Sequence, residues 1–340
     1  MPTHNRSPSP SSSPSSPLTH LAASTLLALI FSIVTRGALG QQSAIVLDTV
    51  HVTVASRSAG TGVRSEEVIT REDIARRPGR NLADILDDAL GVEIVGRSPA
   101  QADIAMRGSS TTQVLILVDG VRVNDPQTEH ANLDLAVPLD DVERIEILRG
   151  AGSTLYGPDA AGGVVNIITT GHDGAAAPRQ SLRGWGGSFG TGGASGSIAE
   201  SIGALGIQTS AEHERSDGHR ADTDYGVTLA SLAAARQVGS GRLRARAGLG
   251  VRSFGAADFY ATYPSHERTR SATAMVRYEF APADRVRASF TANTRRHGDD
   301  YVLFRDDPSL YHNRHRSWQS GIEAVTRIAL TPSMVAAIGA

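Results

Sequence analysis

The sequence has no cysteine among its 340 residues, and only 5% of the residues are aromatic. The absence of cysteine excludes a disulfide framework, thiolate metal sites and cysteine nucleophiles. The formal net charge is −2, so the chain lacks the excess of basic residues that nucleic-acid binding requires, and we expect no nucleic-acid partner. Few aromatics beside 35 glycines argue against a dense aromatic core. The length predicts about two domains.

Long apolar runs are also scarce. Leu21–Val34 is apolar but too short for a membrane-spanning helix, which needs about 20 residues. A Ser- and Pro-rich stretch precedes it, and the small residues Ala38 and Gly40 follow it. We therefore predict a signal peptide over residues 1–40, cleaved before Gln41, with an N-terminal membrane anchor as the alternative.

Residues 114–170 carry the clearest local patterns. Val114–Val118 and Val121–Val123 are short β-branched runs separated by Asp119-Gly120, a strong signal for a tight hairpin. Val142–Gly150 alternates apolar and charged residues, as in a strand with one buried and one wet face. Gly162–Thr170 predicts a further β-branched strand.

Upstream of these strands the sequence predicts two short helices. Thr70 with Asp73 three residues later resembles a helix cap, and Asn81 caps a second helix that ends before Gly91. The predicted apolar stripe of this second helix is Leu82, Ile85, Leu86 and Leu90. Two more strands are predicted at Val92–Val95 and Ile104–Arg107. Short strands mixed with two helices indicate a domain of the α+β class.

In order along the chain, Met106-Arg107-Gly108, VDGVRVN, ERIEILRG and LYGPDAAGGVVNIITT resemble the plug domain of TonB-dependent outer-membrane receptors, closest to the cobalamin and siderophore receptors. The resemblance implies an α+β plug domain followed by antiparallel transmembrane β-barrel strands. It divides the chain into a TonB box and linker at 41–60, a plug at 61–172 and the N-terminal part of a barrel at 173–340.

Beyond residue 172 the pattern is one of β segments separated by turns. The predicted strands are Ser181–Phe189, Gly193–Ser201, Gly206–Glu214, Tyr225–Arg236, Arg242–Phe254, Ser271–Phe280, Arg285–Arg296 and Ser317–Leu330. Short turns alternate with long loops, which is typical of an outer-membrane barrel, and the charges of Arg242, Arg244 and Arg246 are expected to face a wet lumen. A soluble β-sandwich is the alternative. Plugged transporters have about 22 strands, so we expect an incomplete barrel from a truncated gene product or fragment, or else a small self-closed barrel.

The segment after the predicted cleavage site resembles a TonB box. Val50, Val52 and Val54 alternate with polar residues, which is the pattern of a two-faced strand. The resemblance implies that this peptide adds a strand to the sheet of the energy-transducing protein TonB. The proposed box is Asp48, Thr49, Val50, His51, Val52, Thr53 and Val54. A first strand of the plug itself is the alternative.

The resemblance also implies contacts between plug and barrel. Arg107 and Arg149 stand where arginines of the family face acidic residues on the inner barrel wall, and we place Glu143 and Glu146 in the same contact region. A buried charge needs such a partner because its desolvation is costly. The alternative is that both arginines are solvated strand residues.

Two sets of residues on the outer loops are candidates for ligand contacts. Asp217, Asp222 and Asp224 cluster in one loop and could hold a structural calcium ion, because Ca²⁺ prefers carboxylate oxygens. A solvated acidic loop is the alternative, and no other cofactor is expected. Tyr260 and Tyr263 could touch a bulky ligand or belong to an interfacial aromatic girdle.

Catalytic patterns are weak, and the sequence predicts no enzyme. Gly186–Gly190 matches G-x-S-x-G around Ser188, but without the strand-to-helix setting of a nucleophile elbow. His213-Glu214 and His266-Glu267 both lack the second histidine of H-E-x-x-H, so neither predicts a zinc site.

The implied function is energised uptake of a large scarce nutrient across the outer membrane of a Gram-negative-type cell. The ligand would be a cobalamin-like corrinoid or a ferric siderophore, and the implied partners are TonB, membrane lipid and that extracellular small molecule. The alternatives are a passive plugged porin, a non-functional receptor fragment and, from a different class, a secreted hydrolase acting through Ser188.

Overall fold

A computed structural model describes residues 65–77, 81–126, 132–150, 158–172, 178–259, 262–331 and 334–339. The predicted signal peptide and the proposed TonB box lie outside the described residues. In the part of the chain that is described, no helix has the length and apolar character needed to cross a membrane.

The first half is an α+β unit, the plug. Its elements are β1 (Ser65–Thr70), α1 (Arg71–Arg76), α2 (Leu82–Asp87), β2 (Val92–Ser98), β3 (Gln101–Met106), β4 (Val114–Val118), β5 (Val121–Arg122), β6 (Val142–Arg149) and β7 (Gly163–Thr169). Five strands form a sheet in the order β1-β6-β7-β4-β5, in which β4 and β7 are parallel, while β2 and β3 pair separately. Buried Ile116, Ile145 and Ile167 lie at the centre of its core.

The predicted caps begin both helices. The Asn81 side chain accepts a hydrogen bond from the Asp84 backbone N–H at 3.0 Å, and Thr70 and Asp73 form a reciprocal capping box. Hydrogen bonds from the Thr70 hydroxyl, then from its backbone N–H and from Arg76, lower the pKa of Asp73 to about 2. The prediction for Leu90 was wrong: α2 ends at Asp87, and the Leu90 side chain is 81% exposed.

The predicted hairpin between β4 and β5 is present. Asp119 and Gly120 have φ angles of 51° and 81°, so both central residues lie in the left-handed region that a type I′ turn requires. The Asp119 carboxylate accepts hydrogen bonds from the Thr169 backbone N–H at 2.8 Å and from its hydroxyl at 2.7 Å. The aspartate therefore ties the turn to the end of β7.

The second half is one antiparallel sheet whose nine strands follow chain order. They are β8 (Arg179–Gly186), β9 (Gly192–Ile202), β10 (Leu205–Ser216), β11 (Tyr225–Val238), β12 (Gly241–Gly255), β13 (His266–Ala283), β14 (Val286–Val302), β15 (His312–Thr331) and β16 (Met334–Gly339). All eight predicted strands are present, and most are longer than predicted. Side chains alternate between two faces, with Arg246 and Arg252 buried on one and Leu243 and Leu249 exposed on the other.

Candidate functional site

The plug packs against the inner face of the nine-stranded sheet, which we call the wall, and a 3₁₀ turn at Leu139–Asp141 lies at the centre of this contact. Asp141 is fully buried. Its carboxylate accepts hydrogen bonds from Gln208 Nε2 at 3.0 Å, Arg246 Nη2 at 2.6 Å and the hydroxyls of Ser210 and Ser231. One plug carboxylate thus receives donors from β10, β11 and β12.

Asp140 and Leu139 extend the contact to the start of the wall. Asp140 accepts a hydrogen bond from Ser195 Oγ at 2.7 Å and forms an ion pair with Arg183 at 3.1 Å. The Leu139 backbone N–H donates to Glu212 Oε2 at 3.2 Å. The 3₁₀ turn therefore contacts strands β8 to β12 within three residues.

Two more plug aspartates reach the later strands. Asp134 forms an ion pair with Arg252 and accepts the Thr269 hydroxyl. Asp125 accepts a hydrogen bond from Ser317 Oγ at 2.8 Å and lies 3.7 Å from Arg295 Nη1. The plug is thus held along the wall from β8 to β15.

We call Asp125, Asp134, Asp140 and Asp141 the acidic seam. All four are buried, and each pairs with an arginine of the wall. Removing one partner from a buried ion pair costs about 3–5 kcal/mol because the other charge is left without compensation. The seam therefore fixes the seat of the plug.

Backbone also approaches backbone at one point of the interface. A Cβ atom added to Gly248 of β12 would overlap the carbonyl oxygen of Ala136 and would meet the Thr273 hydroxyl at 3.0 Å. Next to this point, Arg252 Nη2 donates to the Leu135 carbonyl at 3.0 Å. Glycine at 248 is what lets the plug lie directly on the wall.

The residues that we expected to make these contacts lie elsewhere. Arg149 forms an ion pair with Glu67 of β1 and donates to the Leu90 carbonyl, so these contacts stay within the plug. Arg107 is exposed in the turn after β3, with φ 50°.

The two glutamates were expected in the same contacts. Glu146 accepts hydrogen bonds from Arg144 at 2.8 Å and Asn166 at 3.1 Å, both of which belong to the plug, and Glu143 is half-buried on β6. In the ion pairs of the acidic seam, the acid is on the plug and the arginine is on the wall, which is the opposite of the expected arrangement.

The expected calcium loop is organised around an arginine. Arg305 of a neighbouring loop donates two hydrogen bonds to Asp224, at 2.5 and 2.7 Å, and lies 3.5 Å from Asp222. These bonds lower the pKa of the Asp224 carboxyl and raise that of Arg305. Asp217 lies apart, against Gly190. Among the described residues, no group of three or more acidic or histidine side chains is arranged to hold a metal ion.

A cavity of about 400 Å³ opens between the β2–β3 hairpin of the plug and the loops at one end of the wall. Its lining includes Arg97, Ser188, Phe189, His219, Arg220 and Tyr225. Tyr263, expected as a ligand contact, is 44% exposed on the next loop, with its ring 5.0 Å from that of Phe304. Tyr260 lies outside the described residues. Cations and aromatic rings around one opening suit a bulky anionic or conjugated ligand.

A globular plug seated against the inner face of a long antiparallel sheet is the architecture of a plugged outer-membrane receptor. The family comparison agrees, because residues 58–164 match the model of the TonB-dependent receptor plug domain. This part of the chain is therefore similar to the plug domain of the TonB-dependent receptors, and a long antiparallel sheet follows it.

Two relatives come from Vibrio cholerae. The chain is 38% identical over 157 residues to an iron-regulated outer membrane virulence protein, an alignment that covers 44% of the chain and 24% of that relative. It is 39% identical over 115 residues to the vitamin B12 transporter BtuB, which covers 33% and 19%. The chain therefore spans about a quarter or less of the length of these relatives.

Solved structures share the fold at low identity. The siderophore receptor PirA from Acinetobacter baumannii superimposes with a TM-score of 0.66 at 18% identity, over 81% of this chain and 47% of that one. The ferric citrate transporter FecA superimposes with a TM-score of 0.62 at 17% identity, over 78% and 44%.

Proposed function

We propose that the chain belongs to an outer-membrane receptor that takes up a large scarce nutrient with energy supplied through TonB. The observation that carries the proposal is the plug domain held on the inner face of the wall by the acidic seam. A plug in this seat blocks the passage at rest. The named relatives and structural neighbours support a cobalamin-like corrinoid or a ferric siderophore as the ligand.

The acidic seam explains why moving the plug away from the wall would need an input of energy. Asp141 has four donors from the wall, and each buried pair that is broken leaves a charge without its partner. Thermal fluctuations rarely provide the free energy needed to break several such ion pairs at once. An external pull on the plug is therefore the proposed trigger, delivered through a strand that Asp48–Val54 adds to a sheet of TonB.

The ligand side is proposed to be the 400 Å³ cavity. Arg97 belongs to the plug, whereas Arg220 and His219 belong to a loop of the wall, so a ligand in the cavity would touch both parts. Arg97 also lies over the Phe259 ring at 5.8 Å, a cation–π contact that a ligand could replace. A ligand bound in the cavity would therefore act on the plug directly.

The test is Val52→Pro in cells that express the protein, measured with radiolabelled cyanocobalamin and with a radiolabelled ferric siderophore. Proline removes a main-chain donor from the added strand, so we expect uptake to fall to background while binding to the cell surface is kept. Val52→Thr keeps the donor and is the matched control. Uptake that survives Val52→Pro, or that persists in cells without TonB, would instead identify a passive plugged porin.

A further inference from the structure

The face of the wall that points away from the plug is banded along the strands. Exposed Leu249, Val276 and Ile322 lie in its middle, and Tyr278 pairs with Phe290 towards the short-turn end. An apolar band with aromatic residues at one edge is the pattern of a barrel surface in contact with lipid.

Basic residues concentrate at the other end of the same face, next to the long loops. Arg268 and Arg270 stand on β13, Arg296 on β14, and Arg314 and Arg316 on β15, and all five are exposed. They alternate with plug-facing neighbours: Arg296 follows Arg295, and Arg316 precedes Ser317. Because successive strand residues point to opposite faces, the five arginines point outward.

The register of three strands sets two of these arginines on either side of a gap. Arg270 and Arg316 are both partners of Gly298, one from each neighbouring strand. A Cβ added to Gly298 would meet nothing nearer than backbone oxygens of Arg270 and His315, at 3.9 Å. The backbones of β13 and β15 are about 10 Å apart. We call this gap, floored by Gly298 and flanked by Arg270 and Arg316, the arginine slot.

Charge and position both mark the slot. Asp300, an acid on the same face, is paired with His312 and lies 3.7 Å from Arg314. Among the described residues, no acid lies within 4.0 Å of the guanidinium groups of Arg268, Arg270, Arg296 or Arg316, although Asp300 is the register partner of Arg268 and interacts electrostatically with Arg270. Trp318, 76% exposed, is the register partner of Arg296 at the edge towards the apolar band. A polar-tipped ring between cations and an apolar band is typical of the interface with lipid headgroups.

We propose that the arginine slot binds the phosphate of a phosphorylated glycolipid in the outer leaflet of the membrane. This rests on the proposed membrane placement of the receptor. Guanidinium groups bind phosphate oxygens in a bidentate manner, and two of them across a side-chain-free gap can hold one phosphate from both sides. The adjoining apolar band would carry the acyl chains of the same molecule, which favours a lipid over free phosphate.

The test uses the full chain, purified in neutral detergent and titrated with diphosphoryl lipid A, with bound lipid counted by native mass spectrometry. Replacing both Arg270 and Arg316 by Gln should weaken binding about 25-fold, since each basic residue near an anionic surface contributes about fivefold. Arg236→Gln is the matched control, because Arg236 is exposed on the same face at the short-turn end, and its binding should stay within about twofold of wild type.

A second variant tests the slot without changing charge. Gly298→Leu places a side chain between the two arginines and should reduce binding about as strongly as the double substitution. Fully dephosphorylated lipid A should bind wild type no better than the double variant does.

Equal binding of lipid A to wild type and to both variants would overturn the proposal. So would equal loss in Arg236→Gln, full competition by millimolar inorganic phosphate, or arginine-dependent self-association without lipid. The count of bound lipid does not depend on Val52. The lipid-binding result can therefore be interpreted even if the uptake experiment fails, and the uptake result can be interpreted even if no lipid binds.

Discussion

Asp141 is a carboxylate without exposure to water, and its acceptor capacity is met from the wall. An isolated buried carboxylate would be strongly unfavourable, so the hydrogen bonds and the ion pair with Arg246 are what permit the charge at this position. The same contacts make Asp141 sensitive to substitution.

We expect Asp141→Asn to destabilise the seated plug by about 3–5 kcal/mol, because the Arg246 guanidinium would then be buried without an opposite charge. Limited proteolysis of the plug in the detergent-solubilised protein measures the opening, and urea unfolding measures the free energy. Asp87→Asn, at an exposed position at the end of α2, should change stability by less than about 0.5 kcal/mol.

A double substitution tests whether Asp141 and Arg246 stabilise the plug as an ion pair or as two independent groups. Asp141→Asn together with Arg246→Gln removes both charges, and it should cost clearly less than the sum of the two single substitutions. Additive costs would show that the two groups act independently and that the seam is not held by this ion pair.

The pair Asp224 and Arg305 predicts an acid-sensitive loop contact. Arg305 lowers the folded-state pKa of Asp224, so the pair adds stability above the unfolded carboxyl pKa of about 3.9 and loses it as the pH falls through the lowered folded value. Arg305→Gln should raise the pKa of Asp224 towards its ordinary value, as measured by carboxyl NMR titration. Both side chains are about a third exposed, so the contribution is about 0–1 kcal/mol.

The control is Arg220→Gln, which removes another arginine near the same loop and should leave the Asp224 titration in place. An unchanged pKa of Asp224 in Arg305→Gln would contradict the assignment.

At the residue scale, the sequence predicted the caps and the hairpin but not the acidic seam. Thr70, Asn81 and Asp119-Gly120 act within a few residues of themselves, so local patterns identify them. Asp141 and Arg246 are 105 residues apart, and nothing near either one specifies the other. The alternation of arginines from Arg242 to Arg246 was the available signal, and we assigned that face to water when its partner is the plug.

Among the elements, the wall strands were predicted well in number and poorly in length. β13, β14 and β15 have 18, 17 and 20 residues, whereas the sequence-based strands at these places were shorter. A strand needs about 9–11 residues to cross the apolar band, so these extend well past it. Their outer parts are rich in charged residues, which we had assigned to loops.

The short helix α2 depends on its cap. Its N-terminal donors have few other partners in a helix of six residues, and Asn81 satisfies one of them. Asn81→Ala should lower the free energy of unfolding by about 1 kcal/mol, as measured by urea denaturation. Asn81→Asp keeps an acceptor and should stay within a few tenths of a kcal/mol of wild type. Equal losses in both variants would show that the cap is not the cause.

For the molecule as a whole, the orientation of the wall is directly testable, because the sequence has no cysteine. We expect Asp307→Cys, in the long loop after β14, to react with a membrane-impermeant maleimide in intact cells. Ser240→Cys, in the two-residue turn between β11 and β12, should react only after the outer membrane is opened. Reaction of both, or the reverse pattern, would contradict the orientation.

The fold of the described residues could be predicted because the plug carries ordered sequence blocks and the strands alternate between apolar and polar residues. How the two parts meet could not, since the contacts join Asp125 and Asp134 to strands more than a hundred residues away. The expectation that plug arginines pair with acids of the barrel wall came from the resemblance. In the structure, Arg149 instead forms an ion pair with Glu67 inside the plug.

The acidic seam has a further consequence for ion permeation. If the plug leaves, the guanidinium groups that it neutralised remain on the inner face of the wall. They belong to Arg183, Arg246, Arg252 and Arg295. Fixed cations along a water-filled passage admit chloride more readily than potassium. In a planar bilayer with a salt gradient, we expect the proposed receptor without its plug to show a reversal potential shifted towards anion selectivity.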